Sequence, residues 1–523
     1  MSSEKYEINA LKIRQWLKGW DKVQFDTSAQ NQNREKPLPY FFVFSIKAGV
    51  LKSLSKVYPR QANEKRSTEI GIQRKHDPDR SEEIHRFIET GYPLSEMTNI
   101  NKQSDIYSDL KMPGWLPTAI VANILKEGTT RGNFKIKKED LIKIEEGESV
   151  TKIILPKGVY DSTWHPIVPP IEIIDGQHRL WAFNRNEAIS DEFELPVVAF
   201  YNLDITWQAY LFYTINVKPK KINRSLAYDL YPLLRVQEWL EKAPDTAFVY
   251  KETRAQEIVE VLWSFNKSPW KDRINMLGDT RSLANITQAA FIRNLIASFI
   301  KTTTTRNLGG LFGANLNDKF NMPLSWNRTQ QASLIIYSWQ KIYDVISKCT
   351  NEWAENLRKK TNESKQTSLF VEPPKALDLA FTSKYSLITS DQGVRGFLHI
   401  MNDMIYVHSE KLNIRNMEWS NQSEALKEDR IEHGDVELAI KDIKKSSLDK
   451  YISKICNELV KFDWRTSSEP HLSSEKKREQ MVFKGSSGYK ELRSQLLQLL
   501  MKSTDIEIKE TASKIWRELG YAK

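Results

Sequence analysis

Cysteine is the scarcest chemistry-bearing residue in this chain, with two, Cys349 and Cys456, among 523 residues. They lie far apart and each sits in a helical pattern, which excludes a disulfide framework and a Cys-based zinc site. Histidine is thin as well: there are 8, scattered singly, so no His-rich metal cluster is expected. The one grouping, His76 with Asp77 and Asp79, reads as a polar turn around Pro78 that caps a helix at Arg80. No apolar run approaches the roughly 18 residues that cross a bilayer. The start of the chain is charged and amphipathic, without the apolar core of a signal peptide. These absences predict a cytoplasmic protein with no membrane contact. The spacings GxxxxGK[ST], GxGxxG and HExxH are missing too, and no repeat period is visible.

What is abundant is aromatic. With 15 Trp, 19 Tyr and 21 Phe, the chain buries enough apolar surface to offset its ordering entropy, so disorder as the main state is excluded. At about 150 residues per domain, the length suggests roughly three or four domains. The 77 Lys and Arg against 67 Asp and Glu give 77 − 67 = +10, a modest excess that fits a polyanionic partner without naming one.

Along the chain, residues 1–36 read as an amphipathic helix, with Leu11, Ile13, Trp16, Leu17 and Trp20 on one stripe, and a linker. Residues 40–46 form an aromatic and β-branched run suited to a buried strand, and residues 119–124, 152–155, 171–174 and 196–201 also read as strands. Residues 80–89 read as a helix stopped by Gly91 and Pro93. Beyond about residue 202 the spacing turns helical, over 206–214, 226–242, 256–265, 287–300, 333–357, 489–502 and 510–519. The stretches 359–366 and 466–479 read as linkers or exposed loops. Four segments are expected: 1–36, 37–232, 233–420 and 421–523.

The most informative stretch runs Ile173-Ile174-Asp175-Gly176-Gln177-His178-Arg179-Leu180. A β-branched strand end meets a glycine, three polar residues and a helical segment. Such a turn points backbone N–H groups and a helix's positive end at one place, which suits an anion such as phosphate. Gly176 permits a positive φ or a close ligand. Arg179 has the fork geometry for phosphate oxygens, with Gln177 and His178 as neutral hydrogen-bonding groups beside it. The bland alternative is an ordinary turn with an Arg facing water. Trp263 and Trp270 have rings able to stack on bases, although aromatics at helical spacing are more often core.

Asp175 to Arg179 spells DGQHR, and the surrounding sequence resembles the DGQHR-domain family, which includes the DNA sulfur modification protein DndB. That family is in turn similar to the ParB and sulfiredoxin fold. Supporting elements are Gln73-Arg74, the Pro-containing segment around Pro117, Ile215-Asn216 with trailing Lys218, Lys220, Lys221 and Arg224, and segments around Trp270, Ile274 and residues 286–291. The resemblance implies an α+β fold: an N-terminal ParB/sulfiredoxin-like mixed α/β domain followed by a mainly α-helical C-terminal region. It implies a nucleoside triphosphate, ATP or a relative, held by Gly176, Arg179, Gln73, Arg74 and Asn216. DNA would meet Lys218, Lys220, Lys221 and Arg224, for which a solvated basic loop is the plain alternative. The family setting is a bacterial DNA-modification or defence system of the phosphorothioate or 7-deazaguanine type. The expected partners are DNA and a modification enzyme from the same gene cluster, with a homo-oligomer left open.

The chain departs from the ParB pattern by carrying Gln177 and Ile215 where Glu serves metal binding and hydrolysis, and sulfiredoxin's reactive Cys is absent. Hydrolysis would fall to Asp175, as Mg²⁺ ligand or water-orienting base, beside Gln177 and His178. Binding is the firmer expectation than turnover, and a non-enzymatic DNA-binding transcriptional repressor is the alternative.

Overall fold

The computed structural model describes residues 6–22, 35–58, 76–92, 94–96, 111–131, 133–147, 150–183, 188–216, 223–229, 248–278, 284–302, 308–316, 318–359, 377–420 and 431–521. The fold is α+β, and the chain divides into two compact units, Met1–Lys221 and Ile222–Lys523. Gln73, Arg74, Lys218, Lys220 and Lys221 lie outside the described residues.

In the first unit, eight strands among the described residues form one mixed sheet. They are β1 (Glu7–Arg14), β2 (Tyr40–Lys47), β3 (Ser55–Lys56), β4 (Ile120–Ile124), β5 (Lys143–Glu146), β6 (Thr151–Ile154), β7 (Ile171–Asp175) and β8 (Glu194–Tyr201). Their order across the sheet is β3-β7-β4-β8-β2-β1-β6-β5. The β4–β8 and β3–β7 pairs are parallel and the rest antiparallel. Strand β2 turns Phe42, Phe44 and Ile46 inward at the two-residue period. In β7, second from the sheet edge, Ile171 to Ile174 are all buried, so both of its faces are covered.

The expected N-terminal helix is instead β1. It bonds β2 on one side and β6 on the other, with Leu11 opposite Val43 and Ile8 opposite Ile153. Three of the five residues of the supposed helical stripe stay outside, with Leu11 58%, Leu17 65% and Trp20 45% exposed. Only Ala10 of β1 is fully buried, so ladder hydrogen bonds to two neighbours, rather than an apolar face, fix its conformation. The segment is therefore built into the sheet and is not an appendage to it.

Three helices frame the motif: α1 (Ala48–Leu54), α2 (Pro78–Thr90) and α3 (Gln177–Trp181), followed by α4 (Ile205–Asn216). Helix α2 starts as its sequence dictates, with Asp77 accepting a bond from the Arg80 N–H and Pro78 in the first turn.

The second unit is helical: α5 (Arg224–Asp229), α6 (Phe248–Ser264), α7 (Gln288–Ala297), α8 (Arg328–Lys348), α9 (Glu352–Arg358), α10 (Asp391–Val407), α11 (His433–Lys445), α12 (Ser447–Leu459), α13 (Ser474–Met481), α14 (Gly488–Met501) and α15 (Ile506–Glu518). Asn327 and Gln330 close a reciprocal capping box on α8, which is buried almost continuously from Thr329 to Trp339. Helices from both sides of residue 420 share one core, as α10 packs against α14 and α8 against α11, so the unit is a single body. The stretch 466–479, expected as a linker or exposed loop, is largely exposed, but it is anchored within and ends in a helix. Glu469 is fully buried and Ser473 caps α13 through the Lys476 N–H, a local bond that starts a helix despite the polar composition.

Candidate functional site

Strand β7 delivers the motif, and a bulge decides how. Against β4, Ile173 pairs with Ala122 and Asp175 with Val121, so Ile174 is an extra residue. An extra residue shifts the two-residue alternation by one. Asp175 thereby joins Glu172 in facing α4, and both carboxylates bond that helix. Glu172 Oε2 accepts from Gln208 Nε2 at 3.1 Å, and Asp175 Oδ1 accepts from Asn216 Nδ2 at 3.0 Å.

Gly176 follows with φ +95°, a left-handed conformation that L side chains rarely adopt. A Cβ there would lie 2.7 Å from Ile120 Cδ1 and 2.9 Å from Arg179 Nη2. Arg179 folds back over this gap. Its Nη2 donates to Asp175 Oδ2 at 3.1 Å and to the Ala119 carbonyl at 3.1 Å. Thus Asp175 uses one oxygen for Arg179 and the other for Asn216. Three of the residues singled out from sequence meet in one contact, although Arg179 is turned toward a carboxylate and not to open solvent.

The neighbouring side chains keep unmet polar capacity. Among the described residues, Gln177 Oε1, His178 Nδ1 and Arg179 Nε are buried without a hydrogen-bond partner. Buried polar atoms are ordinarily satisfied, so three at consecutive residues mark the place where a partner is wanting. Arg179 Nε donates, and His178 Nδ1 donates in one tautomer, as an anion requires. Gln177 Oε1 accepts, as a hydroxyl or amino group requires. Two potential donors and one acceptor thus stand unpaired side by side at this turn.

His178 stacks on His76 of the α2 entry turn, ring centroids 5.5 Å apart and planes 23° from parallel. Desolvation, then the charge of Arg80 and then His76, hold the His178 imidazole below its usual pKa, so it is neutral at pH 7. His76 is itself held by Ser81, Nε2 to Oγ at 2.7 Å. The segment read only as a capping turn thus also supplies a wall of the site.

A polar network unseen in the sequence anchors all this. Buried Glu172 accepts from Arg131 Nη2 at 2.8 Å and from Asn123 Nδ2 at 3.1 Å, besides Gln208. These residues come from three separate segments, so no local spacing could have revealed them.

Arg224, at the start of α5, is exposed and described without its Lys neighbours. Trp270 is core: it is 1% exposed and meets Phe291, Trp339 and Phe381 edge-on. Trp263 is partly buried with Lys271 Nζ 5.6 Å from its ring centroid. Residues 274–275 and 286–287, separate elements of the family resemblance, pair as a short parallel ladder, with Ile274 opposite Ile286. No group of three or more His, Cys, Asp or Glu side chains suited to a metal occurs among the described residues. Both cysteines are free, and no helix among the described residues is long and apolar enough to cross a membrane.

Neither family models, curated proteins nor solved structures match this chain.

Proposed function

We propose that the Asp175 to Arg179 turn binds a nucleoside triphosphate, ATP or a relative, and that the protein works on DNA in a bacterial modification or defence system. The setting, cytoplasmic and beside a phosphorothioate-type or 7-deazaguanine-type modification enzyme, follows the DGQHR resemblance and a ParB-like reading of the first unit. The observation carrying the reading is the row of unmet polar atoms on Gln177, His178 and Arg179 beside a glycine whose Cβ position is crowded. Binding is favoured over turnover because both Asp175 oxygens are already engaged, so a Mg²⁺ role would require it to release Arg179 or Asn216. That same engagement favours, as second reading, a non-enzymatic DNA-binding repressor.

Calorimetry with ATP and CTP, with and without DNA, decides between them. The nucleotide reading expects saturable binding that Arg179→Ala removes, with phosphate release measured in parallel for hydrolysis. A promoter fragment bound without nucleotide, with affinity falling steeply as salt rises, selects the repressor reading.

A further inference from the structure

The helical unit holds a cavity of about 610 Å³ where the start of α6, the end of α7, α10 and α14 converge. Lys251, Lys301, Arg395, Lys490 and Arg493 line it, together with His399. Arg395 and His399 are one turn apart on α10, and Tyr489 and Arg493 one turn apart on α14, so each pair presents one helix face.

Negative charge does not balance these cations. Lys301 and Arg493 share a single carboxylate, the fully buried Asp403, at 3.9 Å from Lys301 Nζ and 2.9 Å from Arg493 Nε. Nearby Asp391 is taken by Tyr489 Oη at 2.8 Å, Asn294 Nδ2 at 2.9 Å and Arg293 at 3.5 Å. Among the described residues, Lys251, Arg395 and Lys490 enter no ion pair. The Lys301 and Arg493 side chains are only 18% and 13% exposed, and taking charge out of water costs several kcal/mol per ion unless it is compensated.

Two buried atoms also lack partners here. Among the described residues, His399, 8% exposed, makes no hydrogen bond through Nδ1, and Arg395 Nε is likewise unsatisfied. The Arg395 guanidinium carbon lies 4.4 Å from the Tyr489 ring centroid, and a guanidinium stacked on a ring keeps its N–H groups in plane for an acceptor beside it. The five cationic side chains thus meet two carboxylates, Asp403 and Asp391, both already engaged.

We propose that this cavity binds a multiply charged phosphoryl anion carried by a small molecule of nucleotide size or less. The volume, open to solvent on one side, falls in the range of small-ligand sites; Arg395 Nε is a donor and His399 Nδ1 donates in one tautomer. The site lies in the second unit and stands independently of the turn at Gly176.

The test is calorimetry with sodium tripolyphosphate on the full chain carrying Arg179→Ala, which keeps any binding at the turn from counting. Binding that weakens as salt rises is expected, and Arg395→Gln and Lys490→Gln should each reduce affinity about tenfold or more. Lys490 is exposed, so its variant should melt as the parent does, and a loss of binding there is not a loss of fold. Absence of tripolyphosphate binding overturns the proposal, as does binding that neither substitution changes. A short oligonucleotide that binds through Lys490 and Arg395 where tripolyphosphate does not would overturn it in favour of a nucleic-acid backbone.

Discussion

Asn216 donates to Asp175 Oδ1 at 3.0 Å while Arg179 donates to Oδ2 of the same carboxylate at 3.1 Å, so Asp175 ties the end of α4 to the turn that follows β7. Eight residues earlier on the same helix, Gln208 reaches Glu172. The helix is therefore pinned at two points to one strand. Gln208→Ala should lower stability by about 1–3 kcal/mol, because it strips a donor from a buried carboxylate. Asn216→Ala, at an exposed position, should cost about 1 kcal/mol or less yet weaken the nucleotide binding proposed for the turn. Urea unfolding and calorimetry on both variants would check this, and equal stability losses would contradict it.

Gly176→Ala should destabilise by about 1–3 kcal/mol, since it combines a positive φ with contacts to Ile120 and Arg179 that are too close. Gly128 offers the control. It also has a positive φ, +89°, but its nearest neighbour lies 3.9 Å from the Cβ position, so Gly128→Ala should cost less. Denaturant midpoints for the two variants measure the steric part of the difference.

Stability should fall with acid through His178. Its folded-state pKa lies below the ordinary 6.5 because of desolvation and the charge of Arg80. The unfolded chain therefore takes up a proton first as pH drops. The stabilisation is complete above about pH 6.5 and is lost as pH falls from there through the lower folded-state pKa. Buried His399, held well below its usual value by desolvation and then Arg493, adds in the same direction. Unfolding free energy measured from pH 8 down to about 5 should decline, and His178→Asn should flatten part of the slope. An unchanged slope would remove His178 from the account.

Trp270→Ala should cost about 3–5 kcal/mol, as for large aromatic truncations in a packed core, without changing, per folded molecule, the DNA binding proposed above. Thermal melts and a binding titration on the same sample separate the two effects.

Much of the first unit was legible locally. The runs at 40–46, 171–174 and 196–201 became strands because continuous or alternating β-branched and aromatic side chains suit a buried pleat. Asp77 and Pro78 announced a helix start, and Gly176 announced the turn. Residues 7–14 misled because their apolar spacing admits a helix, whereas the unpaired edges of β2 and β6 supply hydrogen bonds that the spacing does not record. Glu469 misled in the other direction, since a polar stretch is read as exposed unless its burial partners are visible.

The sequence by itself determined the elements that depend on neighbours a few residues away: the capped helix, the glycine turn and the run of Asp175 to Arg179. Tertiary structure alone decided which way that run faces. The extra residue Ile174 in β7 turns Asp175 toward α4, and Arg179 pairs with it instead of standing open. It also assembled the Glu172 network and the cationic cavity of the helical unit, whose members come from segments dozens to hundreds of residues apart. Turns and caps are set by local backbone geometry and short hydrogen bonds, whereas convergent charge is set by how whole elements pack, a relation that no local spacing encodes.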